Sequence, residues 1–113
     1  MYVNRKFVYR RSKKHLQNVA SLPCQLCGVD GRTQAAHSNQ LIHGKGRGIK
    51  ASDVYVAALC DRCHYQIDQG KDMTKAERIH LWEVAFGRTL NLLVDFNLWN
   101  EEWEIPSEYR ELQ

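Results

Sequence analysis

The polar and apolar positions divide the chain into a short ordered series of elements. Residues 12–20, "SKKHLQNVA", place Leu16 and Val19 on one helical stripe behind Ser12, a residue type that caps helix N-termini. Pro23 ends that region. "RTQAAHS", 32–38, follows the turn "VDGR" and reads as a short strand. "NQLIHGKGRGIKASD", 39–53, is loop-like, with three glycines and three cations. "VYVAAL", 54–59, is β-branched, aromatic and apolar, which predicts a second strand. "DRCHYQIDQG", 61–70, reads as a helix closing at Gly70.

Beyond it, "TKAE" has the form of a capping box, with Thr74 as the cap and Glu77 three residues on. Ile79, Trp82, Val84, Ala85 and Phe86 supply the buried face of the helix it opens. Gly87 is expected to stop or kink that helix. "TLNLLVDFNLWNEEW" then predicts another, with Leu90, Leu93, Val94 and Trp99 turned inward. The pattern gives an α+β fold in one domain. It has an arm and helix over 1–20, a central core over 21–72 and a C-terminal helical region over 73–113 that carries an acidic tail.

Composition narrows the class. A chain of 113 residues suffices for one modest core. With 43% hydrophobic and 26% charged residues it reads as a soluble globular protein. No apolar run is long enough to cross a bilayer, and "MYVNRKFVYRRSKKH" lacks an apolar signal core, so the expected location is cytoplasmic, with no membrane partner.

The formal charge of +3 conceals an asymmetry. Residues 1–50 hold ten Lys and Arg against one acid; residues 51–113 hold six against twelve. A basic front half suits a polyanion, because each cation set against a phosphate releases condensed counterions. A merely solvated basic surface is the plainer alternative. The acidic segment "NEEWEIPSEYREL" is expected to point away from nucleic acid or to fold back on the domain.

The four cysteines form two pairs, "CQLC" (Cys24, Cys27) and "CDRC" (Cys60, Cys63). Two C-x-x-C pairs can put four thiolates on one tetrahedral zinc. Two disulfides are disfavoured where thiols stay reduced, and a redox site needs one such pair, not two. The pairs are separated by 32 residues, which include His37, His43 and the glycine-rich basic loop. A purely structural zinc module has no need of so long an insert.

On a helix over 61–70, His64 and Asp68 stand four apart and share a face. An imidazole and a carboxylate so placed can bind a hard divalent ion, with water completing its shell. Cys63 lies about 100° round the same helix and can address a different ion. His64 could also be a fifth candidate zinc ligand, which four thiolates leave unneeded, or a surface residue. His37, at the end of the first strand, is a candidate general base, since a neutral imidazole can take a proton from water.

The order strand, His, loop, strand, helix, with flanking C-x-x-C pairs, resembles the HNH endonucleases, the ββα-metal or His-Me finger group. The match is "AAHS" followed by "GKGRGIKASDVYVAALCDRCHYQID". More narrowly it is similar to the phage and prophage YbcO-like and Ref-like branch, over about residues 20–72. The resemblance implies a zinc-stabilised ββα-metal core with added N- and C-terminal helices. It places His37 as general base, and His64 and Asp68 as ligands of a catalytic Mg²⁺ or Mn²⁺. Asp53 falls near the family's middle Asn, two residues further from the helix, where it would orient His37 or contact the metal.

Ala36 departs from the pattern, for many relatives carry a metal-binding His or Asp there. An ion would then rely more on water and phosphate.

The implied activity is metal-assisted phosphodiester hydrolysis, by a DNA endonuclease or nickase in phage recombination or processing. Lys45, Arg47 and Lys50 on the loop are expected to hold phosphates, and Arg5, Lys6, Arg10, Arg11, Lys13 and Lys14 on the arm to add further contacts. A loop that is only a flexible solvated linker remains open. Nothing resembles a base-reading helix. Two other functions stand beside this one. One is a zinc-stabilised nucleic-acid-binding protein without catalysis. The other is an adaptor whose Trp-rich acidic end docks on a recombinase or replication protein.

Overall fold

The computed structural model describes residues 7–109. The element order is α1 (Lys13–Ala20), β1 (Thr33–His37), a single 3-10 turn (Leu41–His43), β2 (Val56–Cys60), α2 (Asp61–Gln69) and α3 (Lys75–Asp95). Arg5 and Lys6 lie outside the described residues.

Both expected caps are made. The Ser12 side chain accepts from the His15 N–H at 3.1 Å, satisfying a donor the helix itself cannot. Thr74 and Glu77 complete a reciprocal capping box at the start of α3. Gly70 follows α2 with φ −61°, so that helix ends without the left-handed turn a glycine would permit.

The strands form one antiparallel hairpin, with Ala35 opposite Ala58, Ala36 opposite Ala57 and His37 opposite Val56. Side chains alternate across a strand, so Ala36, Ala57 and Leu59 lie on one face and Ala35, Val56 and Ala58 on the other. Each face has its own cover. The first packs under α2 and α3 through Ile67, Trp82, Ala85, Phe86 and Leu90. The second packs under α1 and the far end of α3 through Val19, Leu22 and Leu93. All five residues of β2 are therefore buried, which explains why its sequence shows no polar alternation.

The outer edge of β2 is closed as well. Ala58 N–H donates to Thr89 Oγ1 at 2.9 Å, and its carbonyl accepts from Gln25 N–H at 2.9 Å. A strand edge left open would expose unpaired backbone groups.

Two expectations for the C-terminal region are corrected. Gly87 neither stops nor kinks α3, which runs unbroken for 21 residues. A helical glycine costs about 1 kcal/mol relative to alanine, and burial of Phe86, Thr89 and Leu90 on either side outweighs that. Beyond Asp95 the described chain forms turns, not a second helix. Leu98 and Trp99 fold back by donating backbone N–H groups to Leu93 O at 2.7 and 3.1 Å. Trp99 and Trp103 then enclose His15 of α1, with ring centroids 5.2 and 4.8 Å away. Within the described residues, the acidic segment as far as Trp103 thus folds back on the domain beside α1.

Candidate functional site

The four cysteines converge. The first pair sits in a turn where Gly28 N–H donates to Cys24 O and Cys24 N–H to Val29 O, each at 2.9 Å. Gly28 takes φ +84°, a conformation that disfavours a side chain. The second pair spans the β2–α2 junction. Cys60 ends the strand and caps the helix, its Sγ accepting from Cys63 N–H at 3.4 Å.

The four Sγ atoms lie within 4.8 Å of one another, with Cys27 and Cys60 at 3.7 Å. Four sulfurs on a tetrahedral ion at about 2.3 Å are about 3.8 Å apart, so the group fits zinc, and all four cysteines are free of disulfides.

The electrostatics ask for a cation too. Burial pushes the Cys24 thiol up, but N–H groups of Cys27, Cys60 and Leu26 outweigh it and bring the thiol down to about 6. Burial and the neighbouring sulfurs of Cys60, Cys24 and Cys27 push the Cys63 thiol up strongly. One thiol ionises readily and the other is opposed first by burial and then by the neighbouring sulfurs, a conflict that a bound divalent ion would relieve. Among the described residues, no other group of three or more His, Cys, Asp and Glu lies close enough to share an ion.

The remaining candidates fall into two groups. His37 ends β1, and its Nε2 meets Asp53 Oδ1 at 2.8 Å. Asp53 is 4% exposed and also accepts from Ser12 N–H at 2.9 Å and Arg11 at 3.2 Å. The Asp53 contact leaves Nδ1 as the other ring nitrogen of His37. Its Oδ1 is shared by His37 and Arg11, and its Oδ2 accepts from Ser12 N–H.

His64 and Asp68 share a face of α2 as expected, with Nε2 and Oδ2 at 3.2 Å. His64 Nδ1 lies 2.8 Å from Gln34 Oε1, and Asn39 donates to Asp68 Oδ1 at 2.9 Å. Gln34 and His37 are three apart on β1 and so occupy opposite faces of the hairpin. The two groups approach each other only round the strand end, where Asn39, two residues past His37, holds Asp68.

The basic residues are placed unequally. Arg47 and Lys50 are exposed on the loop and Lys45 is half-buried; Arg10, Lys13 and Lys14 are exposed on the arm and α1. Arg11 instead clamps the loop, donating to Lys50 O at 2.8 Å and Ala51 O at 2.5 Å as well as to Asp53. The loop is no free linker. Its His43 is buried against Tyr55, with ring centroids 4.1 Å apart and planes 13° from parallel, and its Nδ1 meets Ser38 Oγ at 2.6 Å. Burial pulls the His43 imidazole down, against smaller opposing effects of Glu108 and Glu83.

Sequence reasoning missed the structural use of His15 and His43, and the contacts of Gln34 and Asn39 with the α2 pair. The partners of His15, Gln34 and Asn39 lie about thirty residues or more along the chain, and those of His43 are local but set by the loop's fold; only the alternation of β1 hinted at the Gln34 side.

Together these features define a small α+β protein built round a four-cysteine centre suited to a metal such as zinc. The chain belongs to the family described as "Protein of unknown function (DUF968)", whose model matches residues 2–99. No curated protein and no solved structure matches it. Among the described residues, no helix is long and apolar enough to cross a membrane.

Proposed function

We propose that this protein is a metal-dependent nuclease of the HNH kind, hydrolysing phosphodiester bonds in DNA, with the four-cysteine centre holding zinc for structure alone. The observation that carries this reading is the His37–Asp53 pair. A buried carboxylate fixes one imidazole nitrogen at 2.8 Å and leaves the other to take a proton at the rim of the hairpin. The hairpin followed directly by α2, with a basic loop between its strands, is the arrangement such enzymes use.

His64 and Asp68 would hold a hard divalent ion. Cis ligands on an octahedral Mg²⁺ are about 3 Å apart, close to the 3.2 Å between His64 Nε2 and Asp68 Oδ2. When bound, such an ion supplies charge stabilisation to the phosphoryl group and the leaving oxygen. Among the described residues two candidate ligands stand there, in keeping with Ala36 at the position before His37. A phosphodiester passing over the strand end would meet His37 from one face and Asp68 from the other, since two residues span at most about 7 Å of chain. Arg47 and Lys50 would hold flanking phosphates.

The test is plasmid nicking by zinc-loaded protein with Mg²⁺ or Mn²⁺, abolished in His37→Ala while the fold survives. A second reading, a non-catalytic nucleic-acid-binding protein, is favoured by the separation of His37 and His64 on opposite faces. It predicts salt-sensitive DNA binding without nicking under any divalent ion.

A further inference from the structure

Beside the candidate site lies a cleft between α2, α3 and the segment after β1. Its volume is about 160 Å³. Its apolar walls are Ile67, Ile79 and Trp82, and its polar residues include Gln40, Lys75 and Arg78. Two of these carry buried donors with no acceptor among the described residues, Gln40 Nε2 and Arg78 Nε. A buried donor without an acceptor is costly, and these two, covered by the cleft walls, would gain one by turning toward a ligand seated there. Trp82 does not add a third, because its Nε1 donates to Ala36 O at 3.0 Å. Asp68 lines the cleft as well as meeting His64, so the cleft adjoins the proposed site of hydrolysis.

Size and chemistry select the ligand. A cavity of about 150 Å³ with apolar walls accommodates a single benzene-sized ring. The present cleft therefore seats one flat ring and leaves the sugar and phosphate of a nucleotide outside it. The donors call for ring carbonyl or ring nitrogen acceptors. Lys75 and Arg78, one helical turn apart, place positive charge where a neighbouring phosphate would run.

We propose that this cleft receives one unpaired pyrimidine base of a nucleic-acid strand, its acceptor edge on Gln40 and Arg78 and its adjoining phosphate on Lys75. The inference rests on the reading of the protein as one that acts on nucleic acid, and it adds a preference for single-stranded or extruded bases. A base inside a duplex keeps its edge paired and could enter only by leaving the stack.

The experiment compares anisotropy of the full, zinc-loaded chain with labelled oligothymidylate, oligodeoxyadenylate and an abasic oligomer of equal length, without added Mg²⁺ or Mn²⁺. Oligothymidylate should bind about tenfold tighter than the abasic strand, the scale of one well-seated base, with oligodeoxyadenylate near the abasic value. Ile79→Trp, which fills the cleft, and Gln40→Ala should each erase that preference while leaving abasic binding and the melting temperature in place. Equal binding of all three oligomers would overturn the proposal. So would loss of the preference in inorganic phosphate at constant ionic strength, which marks an oxyanion site. Because no cleavage is needed, base preference without nicking leaves the cleft standing and removes only the nuclease. Nicking without base preference removes only the cleft, and failure to bind any oligomer removes both.

Discussion

The four-cysteine centre and the two histidine groups are built differently from residues of similar spacing. Cys24, Cys27, Cys60 and Cys63 meet at one point because a turn and a strand–helix junction each deliver two sulfurs to it. His37 and His64 are separated by the hairpin, each fixed by its own partner, Asp53 on one side and Gln34 on the other. Close-set ligands in sequence converge when local backbone geometry places them. Residues on a strand and a helix converge only if strand parity and helix packing agree, and here parity divides them.

The largest effect should come from breaking the convergent centre. Cys60→Ala removes a candidate metal ligand and the cap acceptor of α2 together. Structural zinc sites contribute apparent binding energies of about 10 kcal/mol or more, so the variant is expected to lose zinc and unfold, read by metal content and far-UV circular dichroism. Asp53→Ala strikes the other region. It strands His37, Ser12 N–H and Arg11 and should cost about 2 kcal/mol in urea unfolding with zinc content unchanged. Loss of zinc in this variant would show that the two regions are not independent.

The α1 face should also show its own pH dependence. Burial lowers the His15 imidazole to about 4, only partly opposed by Asp53. Both ring nitrogens lack hydrogen-bond partners among the described residues. With the folded pKa below the unfolded value of 6.5, this contribution is complete above pH 6.5 and is lost as pH falls toward 4. Between pH 6.5 and 5 it amounts to about 2 kcal/mol, and His15→Phe should remove that part of the dependence in paired denaturation curves. The smallest effect belongs to Thr74→Ala, which breaks the capping box and should cost about 1 kcal/mol while sparing zinc.

Much of the scaffold was readable from local rules. Ser12 and Thr74 announced their helices because a side-chain acceptor at an N-terminus is a short-range requirement, and the paired C-x-x-C spacing announced the sulfur cluster for the same reason. Gly87 misled because its local penalty is smaller than the burial of its neighbours, a tertiary quantity. His15 was unreadable because Trp99 and Trp103 lie more than eighty residues away. The opposite placement of His37 and Gln34 was implicit in the alternation of "TQAAH". It became meaningful only with α2 seen to cover the Gln34 side.

The central claim is that His37, oriented by Asp53, serves hydrolysis and not architecture. Zinc-loaded wild type and His37→Ala, matched in metal content and melting temperature, should be compared for nicking of supercoiled plasmid across Mg²⁺ and Mn²⁺ concentrations. The account predicts nicking by the wild type and a loss of at least about a hundredfold in the variant. DNA binding without nicking by the wild type, or equal nicking by both proteins, would contradict it.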